Sequence, residues 1–225
     1  MLQSPVTSHQ PPVDPRVLAD VGVANVAERH SVGGLAGAVW HQHAAMEGVR
    51  ADWRCQVAVV GEAARCVRRI VQCASHTADY AHCPAEWKSP FVERRRKVGW
   101  DLHGLLGIGW ADKERMHAQH RRNDTFFDAP VGMMFTIDRV LGQGSWLDYG
   151  MFLQSVMVSA RAPGLHTCPQ AAFTPFHRGI TSHLGPPDHA QRVCGMSLGW
   201  ADPQAVENTL LTEREPVGEF ARFLR

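Results

Sequence analysis

The sequence lacks the features that would place it in several broad classes at once. There is no Cys-x-x-Cys pair: the six cysteines stand singly at Cys55, Cys66, Cys73, Cys83, Cys168 and Cys194. A chain of 225 residues can bury a sizeable core without a disulfide scaffold, so this cysteine usage reads as a reducing cytoplasm. Net charge is almost absent, +1 at pH 7, which excludes the strong field that recruits nucleic acid or a membrane surface. No apolar run is long enough to span a bilayer, and residues 1–15 carry neither the basic start nor the apolar stretch of a signal peptide. Internal repeats and low-complexity tracts are also missing. The length suits one large domain or two small ones.

What is present is organised around residues 145–173. The run Trp146-Leu147-Asp148-Tyr149-Gly150-Met151-Phe152-Leu153-Gln154-Ser155-Val156-Met157-Val158 is apolar on nearly every face, which predicts a helix buried on all sides. Ser145 is the expected cap, with Asp148 as its short-armed partner. Pro163 and Gly164 end the helix as breaker and C-terminal cap. The stretch 164–173 then reads as an exit turn, whose asset is backbone N–H groups rather than side-chain chemistry.

Elsewhere the pattern is uneven. Residues 17–27 suit a short helix, whereas 30–72 show no clean period, with Val57-Ala58-Val59-Val60 the only strand-like run. Ser89 and Pro90 look like the cap and first position of a helix running to about Leu102, with Leu105, Leu106 and Ile108 continuing its apolar side. A charged helix is expected over 112–122, and an interior strand covered on both faces over 131–138. A short helix over 174–184 and a strand over 191–200 follow. The polar tail from 201 has no obvious core and either frays or wraps onto a partner.

Most side-chain clusters read as structural. Arg94-Arg95-Arg96-Lys97 lies within a helix without the aromatic face of a nucleic-acid site, so it is a solvated face or a salt-bridge surface. Zinc sets could be assembled from His41, His43, Cys55 and Cys66, or from His76, His82 and Cys83, but neither has zinc spacing; His117 and His120 lack a third ligand. No metal is expected. Gly142-Gln143-Gly144-Ser145-Trp146 is neither a nucleophile elbow nor a phosphate cradle. Taken alone, Arg214 in Asn208-Thr209-Leu210-Leu211-Thr212-Glu213-Arg214 is a surface charge.

Several blocks read together resemble the nitroreductase family. They are Arg95-Arg96-Lys97-Val98-Gly99-Trp100-Asp101, Phe127-Asp128-Ala129-Pro130-Val131-Gly132, Gly142-Gln143-Gly144-Ser145-Trp146-Leu147-Asp148-Tyr149-Gly150, Thr167-Cys168-Pro169-Gln170-Ala171-Ala172-Phe173 and Leu198-Gly199-Trp200-Ala201-Asp202-Pro203. Their order and spacing agree from about residue 78 to the end. The resemblance implies an α+β fold with a central, mainly antiparallel sheet, and an intertwined homodimer with flavin mononucleotide (FMN) at its interface. The 145–162 helix would be the dimer core. Pro169, Gln170, Ala171 and Ala172 would pass the flavin near N5, and Arg214 would hold the FMN phosphate. Leu211 and Thr212 stand where the family often has a second basic residue, which implies a weaker grip. The implied activity is electron transfer from NAD(P)H through flavin to nitroaromatics, quinones or similar flat acceptors. The flavin carries that chemistry, so no obligatory catalytic side chain is expected.

The N-terminal third departs from this pattern within what reads as a single domain over 1–225. The family's Arg-Arg-Ser-x-Arg start is replaced by Met1-Leu2-Gln3-Ser4-Pro5-Val6-Thr7-Ser8. Its Pro-Ser-Gly-Thr-Asn-Met-Gln-Pro-Trp segment is replaced by Ala38-Val39-Trp40-His41-Gln42-His43-Ala44-Ala45-Met46-Glu47. Back-translated and shifted by one base, the codons of that second stretch force the Gly and the Trp of the family segment and permit its Ser-Gly-Thr-Asn-Met-Gln-Pro-Trp. Residues 30–70 are therefore expected to be an out-of-frame reading, poorly packed. An alternative for the chain as written is a flavin-poor dimeric remnant of the same fold, structural or partner-binding.

Overall fold

The computed structural model describes residues 54–59, 78, 80–184 and 188–224. The expected helix at 17–27, the histidines and cysteines before residue 78 other than Cys55, and most of the stretch read as out of frame lie outside them.

Among the described residues a four-stranded sheet in the order β1-β2-β4-β3 forms the centre, from β1 (Arg54–Val59), β2 (Val131–Asp138), β3 (His166–Gln170) and β4 (Ala190–Gly199). All three pairings are antiparallel. Around it stand α1 (Phe91–Leu105), α2 (Lys113–Arg121), α3 (Gln143–Arg161), α4 (His177–Leu184) and the short α5 (Val217–Phe220). This is the α+β arrangement that the resemblance implied.

β2 is the dividing strand. Its continuous apolar run has no polar face to turn to water, and it is buried from Val131 to Ile137. Strand period two sends Val131, Met133, Phe135 and Ile137 towards α3, where Tyr149, Val156 and Ala160 meet them. Met134 faces the other way, into a second cluster with Phe126, Ala129, Phe173 and Ile180. The Tyr149 hydroxyl donates to the Thr136 carbonyl at 3.0 Å, fixing α3 on the sheet. A register shift between Phe135 and Thr136 leaves Val193 of β4 without an opposite residue.

Four local expectations need correction. α1 begins at Phe91, with Pro90 rather than Ser89 in the cap position and no side-chain cap bond. α3 begins at Gln143 with Gly142 as its cap, which places Ser145 inside the first turn. A glycine cap is only a few tenths of a kcal/mol poorer than serine, so the helix can start early. Its burial is also one-sided within one chain: Tyr149, Val156 and Ala160 are buried, while Leu147 and Val158 are 70% and 60% exposed. The exposed residues, with Met151 between them, recur at helical spacing along one stripe. Finally, residues 166–170 are not a turn but strand β3, at the edge of the sheet. Pro169 is tolerated there because an edge strand needs ladder bonds on one side only. The expected ends elsewhere agree closely; Gly164 turns the chain out of α3 at φ 79°.

Candidate functional site

The segment Pro169–Ala172 leaves the edge of the sheet, and its geometry is fixed from behind. The Gln170 side chain is fully buried and turned inward. Its amide nitrogen donates to the backbone and side-chain oxygens of Asn123 at 3.1 and 3.2 Å. Its oxygen accepts from the Ser197 hydroxyl at 2.7 Å. Asn123 in turn donates to the His120 carbonyl at 2.8 Å, so the network joins β3 to β4 and to the end of α2. One step on, the Ala171 carbonyl accepts from the Thr174 amide and hydroxyl, closing the turn that leads into a 3-10 helix over Thr174–Phe176. Pro169, Ala171 and Ala172 remain half-buried.

This network was not legible beforehand, since Asn123, Gln170 and Ser197 are far apart in sequence and none belongs to a local motif. A second missed feature lies beside it. Phe126, Phe127 and Asp128 are consecutive residues in the left-handed region, with φ of 53°, 54° and 61°. Each such residue costs about 1–3 kcal/mol and persists only where packing over-determines it. Phe126 meets that condition, stacked on Phe173 with ring centroids 4.9 Å apart.

Arg214 lies on the exposed C-terminal segment. Its guanidinium donates to the Thr212 carbonyl at 3.1 Å, to the Thr212 hydroxyl and to the Glu213 carbonyl at 3.2 Å. All of these acceptors are neutral, so among the described residues its charge is not matched by a carboxylate. No hydrogen bond joins Arg214 to Pro169–Ala172 within one chain. The carboxylates on either side of it face α1 instead: Glu215 pairs with Arg94, and Glu213 lies 3.5 Å from the Lys97 ammonium. The cation run is thus a salt-bridge surface, here towards the chain's own tail. The tail is further fixed by Arg122, which reaches Glu207 at 2.8 Å.

Burial pushes the Cys168 and Cys194 thiols up to about 12, so neither is a thiolate nucleophile near neutral pH. Burial, with a smaller push from Arg161, lowers the His166 ring below its ordinary 6.5; its Nδ1 accepts from the Ala201 amide. Among the described residues no group of three His, Cys, Asp or Glu side chains converges as metal ligands, and no helix is long and apolar enough to cross a membrane.

A model of the nitroreductase family matches residues 43–200, which is more than two thirds of the chain. The chain belongs to the nitroreductase family. The match begins inside the stretch that reads as departing from the family. A 4-nitrobenzoate reductase of Nocardioides sp. (strain LMS-CY) is 41% identical over 65% of this chain and 60% of its own length. A nitrobenzene nitroreductase of Ectopseudomonas oleovorans is 35% identical over 76% of this chain and 78% of its own. The aligned region thus spans under two thirds of the 4-nitrobenzoate reductase and more of the second relative. Among solved structures, the FMN- and NADPH-dependent nitroreductase NfnB of Sphigopyxis sp. strain HMH superposes with a TM-score of 0.82 at 28% identity, covering 99% of this chain and 95% of that one.

Proposed function

We propose that this nitroreductase-family chain is an FMN-dependent oxidoreductase that passes electrons from NAD(P)H to nitroaromatics, quinones or similar flat acceptors. The observation that carries the reading is the match across residues 43–200, together with relatives named as reductases of nitroaromatic compounds. The residues present fit the phosphate end of FMN. Arg214 is an exposed guanidinium whose partners among the described residues are neutral oxygens, and its planar fork suits a dianion. Pro169, Gln170, Ala171 and Ala172 would contribute backbone rather than side chains to the flavin edge, because the Gln170 amide is already engaged in the core. Bound FMN supplies the redox chemistry, and the protein supplies binding, orientation and exclusion of water. No side chain of the chain is assigned as an obligatory acid or base.

The reading includes a homodimer, a single domain over 1–225 and a cytoplasmic setting that suits unpaired cysteines such as Cys83, Cys168 and Cys194. The stripe of Leu147, Met151 and Val158 on α3 supports the dimer, as do the exposed Phe220, Phe223 and Leu224 of the tail. Apolar groups concentrated in this way mark an association surface. Val158→Glu should convert the dimer to a monomer by light scattering, since it would bury an unpaired charge at the seam; a dimer of unchanged mass would count against α3 as the seam. For residues 30–70, resequencing the DNA decides the frame: a stop codon or no family motif in the shifted frame ends that idea.

Two measurements test the activity. Protein reconstituted with FMN should be yellow, and NADH or NADPH should bleach it without oxygen; a colourless protein that FMN does not reconstitute overturns the reading. Arg214→Ala should weaken FMN binding by about 10- to 100-fold, the loss of one charge-assisted grip. Riboflavin, which has no phosphate, should bind both proteins alike.

A further inference from the structure

The cation run on α1 is not used by the function just described, yet two of its members grip the residues on either side of Arg214. Arg94 pairs with Glu215, and Lys97 lies 3.5 Å from Glu213. Arg94 and Lys97 are three apart on one helix face, so a single surface of α1 engages both carboxylates. Arg214 stands between the two, bonded to neutral oxygens.

Arg214 is flanked in sequence by two glutamates, and an ion pair with either carboxylate would be stronger than its bonds to a hydroxyl and two carbonyls. We propose that Arg94 and Lys97 are positioning residues for Arg214: by engaging Glu215 and Glu213 they keep both carboxylates from neutralising its guanidinium, and so leave it available to a phosphate. The inference rests on the reading that Arg214 holds the FMN phosphate and deepens that reading. It also gives the Arg94 to Lys97 run a function beyond solubility. Lys97 is kept in its charged form, because its hydrogen bond to Asp101 at 2.7 Å, the Asp101 charge and the Glu213 charge all raise its pKa.

The ion pairs lie in water, where such pairs add little to folding, so removing them should leave the protein folded with a nearly unchanged urea midpoint. The effect should appear in ligand binding, read by quenching of flavin fluorescence on titrating the apoprotein at low salt. Arg94→Ala/Lys97→Ala should weaken FMN binding about fivefold, the size of one exposed charge pair, and leave riboflavin binding unchanged. Adding Glu213→Gln/Glu215→Gln to that variant should restore FMN affinity, whereas the same two changes in the wild type should alter it little. In an Arg214→Ala background, Arg94→Ala/Lys97→Ala should have no further effect.

The outcomes separate the two levels of the proposal. If Arg214→Ala weakens FMN binding but Arg94→Ala/Lys97→Ala does not, the positioning role is wrong and the phosphate reading survives. If Glu213→Gln/Glu215→Gln tightens FMN equally with and without Arg94 and Lys97, the charges act as a plain field and the sequestration is wrong. If Arg214→Ala leaves FMN binding unchanged, the phosphate reading fails and this inference fails with it.

Discussion

Gly195→Ala should destabilise the protein by about 3 kcal/mol, near the top of the usual range for an added methyl in a packed core. A Cβ at Gly195 would lie 2.6 Å from two ring carbons of Phe173 and 3.4 Å from a ring carbon of Phe126. On β2, Gly132, which stands opposite Ser197 two residues along from Gly195, would place a Cβ 2.7 Å from two ring carbons of Phe126. Two glycines on neighbouring strands thus form a flat patch on which both rings lie. Neither ring has room to retreat: Phe126 and Phe173 are buried, stacked on each other and packed with Met134 and Ile180. Phe126 is also held by its left-handed backbone. Urea unfolding checks the magnitude, and a double-mutant cycle checks the cause. In a Phe173→Ala background, Gly195→Ala should cost less than about 1 kcal/mol, because the obstructing ring is gone. An equal cost in both backgrounds would mean that the glycine serves the backbone and not the ring. The same clash touches the site, since Gly195 lies opposite Gln170 in the sheet.

The parts of the fold that sequence shows best are those where burial is two-sided. β2 is continuous apolar sequence because both its faces are covered, and its ends could be placed at Val131 and Asp138 without a partner in view. α2 was placed as the charged stretch 112–122, and the structure adds its cap: the Asp112 carboxylate accepts from the Arg115 amide at 3.1 Å. β3 was hidden for the opposite reason. His166-Thr167-Cys168-Pro169-Gln170 has no alternation and contains a proline, and only its place at the sheet edge makes it a strand. β1 was legible in part: Val57-Ala58-Val59-Val60 is the only strand-like run of its stretch, and the strand, paired with β2 residue by residue, spans Arg54–Val59. For α3 the composition implied burial on every side, and one chain covers only the side of Tyr149, Val156 and Ala160. An apolar face that one chain leaves uncovered looks, in sequence, the same as a face covered by the chain itself. The proposed site divides along similar lines. Arg214 and Pro169–Ala172 stood out through family resemblance, whereas Asn123, Ser197 and the carboxylates beside Arg214 have roles that depend on contacts across 27 to 47 residues or on a neighbouring helix.

Gln170→Leu should also destabilise by about 3 kcal/mol, and the way it does so tests what Gln170 is for. Leucine approximates the volume but offers no hydrogen bonds. It would strand the Asn123 carbonyl, the Asn123 side-chain oxygen and the Ser197 hydroxyl in a buried setting. A buried polar group left without its partner costs about 1–3 kcal/mol, and some of this is relieved where the group finds another bond. Ser197→Ala, which strands only the Gln170 oxygen, should cost less, about 1–2 kcal/mol. Combining the two should cost less than their sum, because the Gln170 and Ser197 bond can be lost only once. Flavin binding supplies the decisive contrast. With its amide committed to Asn123 and Ser197, Gln170 supports the Pro169–Ala172 backbone from behind. The apoprotein should therefore lose stability in the variant whether or not FMN is added. Were the amide instead a direct flavin ligand, Gln170→Leu would weaken FMN binding while leaving the apoprotein's urea midpoint where it was.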